Sequence, residues 1–236
     1  MASYNGSAYI REQLASILLE LGERDEVVVV DDASSDDTCA VIEALDDPRV
    51  RVRRNPVNRG HVHTFGEALA LAKNEFVFLS DQDDRWIPGR VARMIAEMNR
   101  TGSEMIVSTY SCINALGNPI PTKEHFFLRA GNSKRRLANI TGIFFGRRTY
   151  YGCTMAIRQE LLREALPMPG FVESHDLWLA MAGNMRGDIC HLEQDTVERR
   201  IHDSNLTTRN RGHLMQLKSR IVMLLSLGIL MKRRWF

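Results

Sequence analysis

Two groups of carboxylates in this sequence each follow directly on a run of apolar residues. Val30 runs into Asp31-Asp32-Ala-Ser-Ser-Asp36-Asp37-Thr38, and Leu79-Ser80 runs into Asp81-Gln-Asp83-Asp84. Three carboxylates in four residues repel one another. A hard divalent cation offsets that repulsion, and oxygen donors suit Mg2+ or Mn2+. Such an ion completes its shell with water and phosphate oxygens, and it neutralises charge gathering on a phosphate leaving group. The plainer role for Asp81–Asp84 is an acidic turn ahead of a helix starting near Pro88. In the first cluster, Ser34 or Ser35 could cap the next helix, with Asp36 and Asp37 favouring its positive end. That leaves Asp31 and Asp32, which finish a strand and could accept hydrogen bonds from a nucleobase N–H or a ribose hydroxyl. A third segment, Glu173-Ser-His175-Asp176-Leu-Trp178, opens a helical pattern. There Asp176 could act as a general base, or Glu173 and Asp176 could be an ordinary acidic first turn. The residue types leave both open.

These clusters need a scaffold, and the apolar periodicity supplies one. Ile10, Leu14, Ile17, Leu18 and Leu21 recur at helical spacing, as do Val41, Ile42 and Leu45. Further helical stripes are Phe65, Ala68, Leu69, Ala72 and then Val91, Met94, Ile95, Met98. Between them, residues 26–31 and 75–80 are short, nearly continuous apolar runs, as expected of strands buried on both faces. Residues 49–53 and 105–110 also read as strands. This alternation predicts an α/β fold with a mostly parallel central sheet flanked by helices. Ligands in such sheets bind outside the carboxyl ends of the strands, so both acidic clusters fall on one rim. Residues 111–150 read as long loops with a small antiparallel ribbon. Helices return near residues 159–166 and 176–185.

The chain has 236 residues, a size that suits one domain. Its 31 basic and 29 acidic side chains give a balance of +2, too small to indicate nucleic acid as a partner. The charge is uneven, because residues 204–236 hold seven Lys or Arg and no acid. A basic tail on an acidic body suits an anionic surface, a solvated helix, or a helix packed on the body or on a second subunit of a homo-oligomer. The late apolar run, residues 221–231, is too short to span a bilayer, which takes about 20 residues. Cys39, Cys112, Cys153 and Cys190 form no metal-binding spacing and read as buried thiols of a reducing compartment. Residues 2–12 lack the apolar core of a secretory leader. The expected location is therefore cytoplasmic, with the tail peripheral on the membrane's inner face.

Taken in order, several segments resemble the family 2 glycosyltransferases, especially the rhamnosyltransferase-like bacterial branch. They are Ser3-Tyr-Asn-Gly6, Val29-Val-Asp-Asp-Ala-Ser34, Asn58-Arg-Gly60 and Ser80-Asp-Gln-Asp-Asp84 with Trp86. Gly152-Cys-Thr-Met-Ala156, His175-Asp-Leu-Trp178 and Arg200-Ile-His202 with Asn205 complete the set, and the likeness covers about residues 1–208. It implies a GT-A fold: a nucleotide-sugar-binding subdomain over 1–110, an acceptor and catalytic-base subdomain over 111–208, and a basic amphipathic tail over 209–236. It implies that Ser3, Tyr4 and Asn5 line the nucleotide pocket, with Asp32 on the base and Asp81 near the ribose and diphosphate. Asp83 and Asp84 would hold the metal, with His202 approaching it. Gly152, Cys153, Thr154 and Trp178 would border the sugar and acceptor pocket, and Asp176 would be the catalytic base. The implied reaction is inverting transfer of a sugar, rhamnose in this branch, from a nucleotide-diphosphate donor to a glycan or lipid-linked acceptor in cell-surface polysaccharide biosynthesis.

The likeness has one marked departure. Family members begin with an apolar strand ahead of the Tyr-Asn-Gly turn, whereas Met1 stands at that strand's end. The expectation is an internal methionine with an upstream extension, or else a truncated product that binds nucleotide sugar without catalysis. A sugar-phosphate nucleotidyltransferase is the other competing class. It is disfavoured because Asn5-Gly-Ser-Ala carries none of the basic residues of that class's phosphate loop.

Overall fold

The computed structural model describes residues 1–122, 128–202 and 213–235. Its first layer is a parallel three-stranded sheet of β1 (Ala2–Ser3), β2 (Val27–Asp31) and β3 (Val50–Arg54), in the order β1-β2-β3. Every residue of β2 is buried, which explains its unbroken apolar run before the first carboxylates. Helices α1 (Ile10–Leu18) and α2 (Thr38–Glu43) turn Ile10, Leu14, Ile17 and Ile42 inward against Val27 and Val29.

The second sheet is built on β6 (Met105–Asn114) and β9 (Ile189–Ile201), which pair in parallel. Around them, β4 (Phe76–Phe78), β8 (Met155–Arg158), β5 (Arg85–Trp86) and β7 (Pro119–Ile120) all join antiparallel. The strand order is β4-β8-β6-β9-β5, with β7 hooked onto β6 as the small expected ribbon. Helices α3 (His61–Leu71) and α4 (Arg90–Thr101) follow their predicted stripes, as do α6 (Gln159–Ala165) and α7 (His175–Arg186). Helix α5 (Arg136–Phe144) lies where the sequence suggested only loops. Both halves of the chain share the second sheet, because β6 crosses the 110/111 boundary. Between β2 and β4 lies a slot of about 330 Å3, lined by Met1, Val27, Val28, Leu69, Val77 and Phe78. It separates two strands whose other edges are paired.

Helix α8 (His213–Trp235) packs on α6 and α7 through Met223 and Leu230. Among the described residues, no helix is long and apolar enough to cross a membrane.

Candidate active site

The single sheet expected to carry both acidic clusters is divided, with β2 and β4 in different sheets whose carboxyl ends are linked through Tyr4 and Gln82. On β2, Asp31 is fully buried and accepts from Ser3 Oγ at 3.0 Å, Ser34 N at 2.9 Å and Ser34 Oγ at 2.5 Å. Ser3 therefore locks β1 to this carboxylate. The start of α2 differs from expectation: its N-cap is Asp37, with no side-chain capping hydrogen bond, while the preceding Asp36 accepts from Thr38 N at 3.0 Å. Asp32 turns the other way. Its oxygens accept from Arg59 N at 2.9 Å and Gly60 N at 2.8 Å, so it holds the Asn58-Arg-Gly60 loop. Burial pushes the Asp32 carboxyl up, but the amides of Arg59 and Gly60 and the Asn55 side chain outweigh it and set it below its ordinary value. The turn after β1 is tied down in turn. Asn5 N donates to Ser34 Oγ at 2.9 Å, and Asn5 Oδ1 accepts from Ser35 N at 2.8 Å.

Gln82, to which the sequence reading gave no role, joins this turn to the second acidic cluster. It accepts from Tyr4 N at 2.7 Å and donates to Tyr4 O at 3.0 Å. Gly6 permits the approach, because a Cβ there would sit 2.4 Å from Gln82 Oε1. Tyr4, Gln82 and the carboxylates thus belong to one wall.

Within the 81–84 turn, donor atoms of Asp81, Asp84 and Cys153 lie within 4.8 Å of one another. Asp84 Oδ1 accepts from Arg200 N at 2.9 Å. Its Oδ2 is buried and, among the described residues, meets only the weak donor of the Cys153 thiol. Burial and then the neighbouring carboxylates push Asp81 up and Asp84 well up from the ordinary carboxyl value. Burial, Asp84 and Asp81 likewise hold Cys153 as a thiol. Crowded, under-satisfied oxygens beside a protonated sulfur fit a hard cation, not a soft one. Asp83 points elsewhere: its Oδ2 lies 2.7 Å from His202 Nε2, and the His202 ring stacks on Tyr9. The expected metal set of Asp83, Asp84 and His202 is therefore two adjacent groups here. One is Asp81–Asp84 with Cys153, and the other is the Asp83–His202 pair. Asn205 lies outside the described residues.

Arg200 fastens the turn from behind. It is buried, with Nε donating to Asp83 O at 2.8 Å and Nη2 to Glu12 Oε2 at 2.6 Å. In the sequence Arg200 stands out only as part of the Arg200-Ile-His202 motif. Next to it, Arg199 lies over the Tyr151 ring at 4.2 Å; burial works against its charge, but Cys153, Tyr151 and Asp84 around it outweigh that and raise it.

The opposite wall comes from α7. Ser174 Oγ caps the helix by accepting from Leu177 N at 3.3 Å, which places His175 and Asp176 in its first turn. Asp176 Oδ1 lies 2.6 Å from His175 Nε2. Burial pushes Asp176 up, but the facing His175 and the Gly152 amide bring it below its ordinary value. Burial lowers His175, and Asp176 more than reverses that, leaving it raised. The His175 ring stacks on Phe65 at 3.9 Å and meets His61 edge-on at 5.9 Å. Gly152 has to be glycine, since a Cβ there would lie 2.5 Å from Asp176 Oδ1. Gly152 and Cys153 thus border the carboxylates as expected, and the neighbouring Thr154 is buried with Oγ1 donating to Tyr151 O. Trp178 does not join the pocket. It is fully buried, with Nε1 donating to Ala165 O at 2.8 Å. Two residues beyond Asp176 on a helix, it faces a different side.

The walls share one electrostatic field. Asp81 responds to both Asp83 and Asp176, and His61 responds to both Asp176 and Asp32. Asp176 is thus within electrostatic reach of Asp81, and His61 of both Asp176 and Asp32.

Residues 1–166 match the family model described as glycosyl transferase family 2. The chain belongs to that family. It is 32% identical over 120 residues to the succinoglycan biosynthesis protein ExoO of Rhizobium meliloti, covering 51% of this chain and 34% of that one. It is 27% identical over 183 residues to the Escherichia coli UDP-Glc:alpha-D-GlcNAc-diphosphoundecaprenol beta-1,3-glucosyltransferase WfgD, covering 77% of this chain and 67% of that one. The chain thus spans about a third of the succinoglycan relative's length. Its fold is similar to Staphylococcus aureus TarS in complex with UDP-GlcNAc, with a TM-score of 0.68 at 19% identity over 99% of this chain and 71% of that one. It is also similar to the mannosyltransferase PcManGT of Pyrobaculum calidifontis with GDP-Man and Mn2+, with a TM-score of 0.65 at 19% identity over 98% of this chain and 72% of that one. The fold is GT-A.

Proposed function

We propose that the chain transfers a sugar from a nucleotide-diphosphate donor to an acceptor hydroxyl with inversion at the anomeric carbon. The observation that supports this is the Asp176 carboxylate, 2.6 Å from His175 Nε2 and held below its ordinary value, within electrostatic reach of the crowded Asp81. The donor's base and ribose occupy the wall made by Tyr4, Asn5 and the Asp32-held loop. Asp176 takes the proton of the acceptor hydroxyl as its oxygen attacks, within about 2.6–3.2 Å in the reacting complex. One in-line displacement inverts the configuration, and no covalent sugar intermediate is required. Asp81 and Asp84, supported by the Asp83–His202 pair, would hold a Mg2+ or Mn2+ ion. Such an ion, when bound, stabilises the charge of the leaving diphosphate.

The acceptor we infer is a glycan or lipid-linked saccharide of cell-surface polysaccharide assembly, by likeness to relatives whose names record succinoglycan biosynthesis, teichuronic acid biosynthesis and transfer to GlcNAc-diphosphoundecaprenol. The donor sugar is a hexose, with rhamnose among those to be screened. Thermal shift with a panel of nucleotide sugars and Mn2+ identifies the donor. Nucleoside diphosphate release on adding an acceptor then supports transfer. Pyrophosphate release would instead make the protein a nucleotidyltransferase, and donor binding without either product would make it a binder only.

A further inference from the structure

Helix α8 buries one face and leaves the opposite one apolar. Met223, Ser226 and Leu230 are buried against the body. Arg233 clamps the far end by donating to Ala165 O at 2.8 Å and Pro167 O at 2.6 Å, and its guanidinium lies over the Trp178 ring. On the outer face, Leu217, Ile221, Leu224, Leu225 and Met231 are each more than half exposed, at 52–57%. Leu217, Ile221 and Leu224 or Leu225 are three or four residues apart and Met231 follows Leu224 by seven, so they form one ridge along a 23-residue helix. A ridge of this kind on a water-facing helix marks an interaction surface.

The charge pattern selects the partner. Lys218, Arg220 and Lys232 accompany the ridge, and the helix carries no Asp or Glu anywhere. Lys218 reaches Glu173 at 3.1 Å, while Arg233 is committed to backbone carbonyls, so the cations beside the ridge are chiefly Arg220 and Lys232. An apolar strip with cations at its margins matches the boundary of an anionic bilayer, where acyl chains meet phosphate headgroups.

We propose that the outer face of α8 docks on the surface of an anionic phospholipid bilayer, lying in the interface without crossing it. This stands on the helix alone and does not depend on the transferase reading.

The test uses the full chain with vesicles of phosphatidylcholine, with and without phosphatidylglycerol, in low and high salt. The chain is expected to co-sediment with the anionic vesicles in low salt, less so in high salt, and weakly with neutral vesicles. I221E combined with L224E should cut the partition onto anionic vesicles by about tenfold or more, because two apolar contacts are replaced by like-charged repulsion. Both positions are exposed, so an unchanged melting temperature and circular dichroism spectrum will confirm that the variant is folded. R220Q with K232Q should reduce the preference for anionic over neutral vesicles. Failure of the parent chain to co-sediment in low salt would overturn the proposal, as would equal binding by the glutamate variant. A dimer seen by light scattering that I221E/L224E dissociates, with no vesicle binding, would assign the ridge to a second copy of the chain and overturn it too.

Discussion

Replacing Asp176 by Asn tests the proposed proton acceptor with little change of shape. The side chain keeps its size, which matters because Gly152 leaves no spare room: a Cβ there would already lie 2.5 Å from Oδ1. The substitution removes a carboxylate on α7 that is held below its ordinary range and lies within electrostatic reach of Asp81. Loss of a positioned general base costs about 10²–10⁴ in rate, or about 3–5 kcal/mol in barrier height. Donor affinity should be equal or tighter, since one negative charge leaves a field that Asp81 also feels. The assay is steady-state release of nucleoside diphosphate, with donor dissociation constants measured separately by calorimetry. The expected result is a fall in kcat of about two to four decades, with no loss of donor binding. A kcat within about tenfold of the parent would remove Asp176 as the proton acceptor, and a loss confined to KM would make it a binding residue.

Other consequences follow from the same geometry. Asp32→Asn takes one acceptor from the Arg59 and Gly60 amides and should lower stability by about 1–3 kcal/mol in urea unfolding. Because the Asp32 carboxyl is lowered in the fold, its contribution is present above the ordinary value of 3.8 and lost as pH falls through the folded value, and the Asn variant should lack that acid dependence. Asp84→Asn relieves a buried, repelled carboxylate. Without divalent ions its melting temperature should match or exceed the parent's, whereas the stabilisation by Mn2+ should shrink; an unchanged Mn2+ response would count against Asp84 as a ligand. His175 is raised from 6.5, so its pairing with Asp176 stabilises the fold fully below that value and fades as pH rises through the folded value. His175→Gln should flatten that decline in a pH series of melting temperatures. Gly152→Ala should displace the Asp176 carboxylate and lower kcat at least about tenfold, with the fold retained by circular dichroism.

Much of this site was legible because apolar runs and carboxylates alternate so sharply in the first half. Val27–Asp31 and Phe76–Phe78 became strands whose ends carry the acids, and Ile10, Leu14 and Ile17 became the covering helix. The thirteen residues of β9 escaped notice because their middle is exposed and polar, so neither apolar continuity nor clean alternation shows. Yet β9 delivers Arg199 and Arg200, whose burial is supported by carbonyls, carboxylates and aromatic rings and not by hydrophobicity. Helix α5 was hidden by Gly142 and a basic flank, since its stability comes from packing on α7. Spacing alone also cannot say which way a side chain turns. Trp178 shares a motif with Asp176 but faces the core, and Asp32 shares a strand end with Asp31 but holds a different loop.

The central claim is that the acids after β4 and the acid of α7 address the two sides of one bound donor. A crystal structure with Mn2+ and a nucleoside diphosphate tests it most directly. The account predicts the ion on the 81–84 turn, the diphosphate between that turn and Asp176, and the base against Tyr4 and the Asp32 loop. Nucleotide bound in another hollow, with Asp176 facing empty solvent, would contradict it.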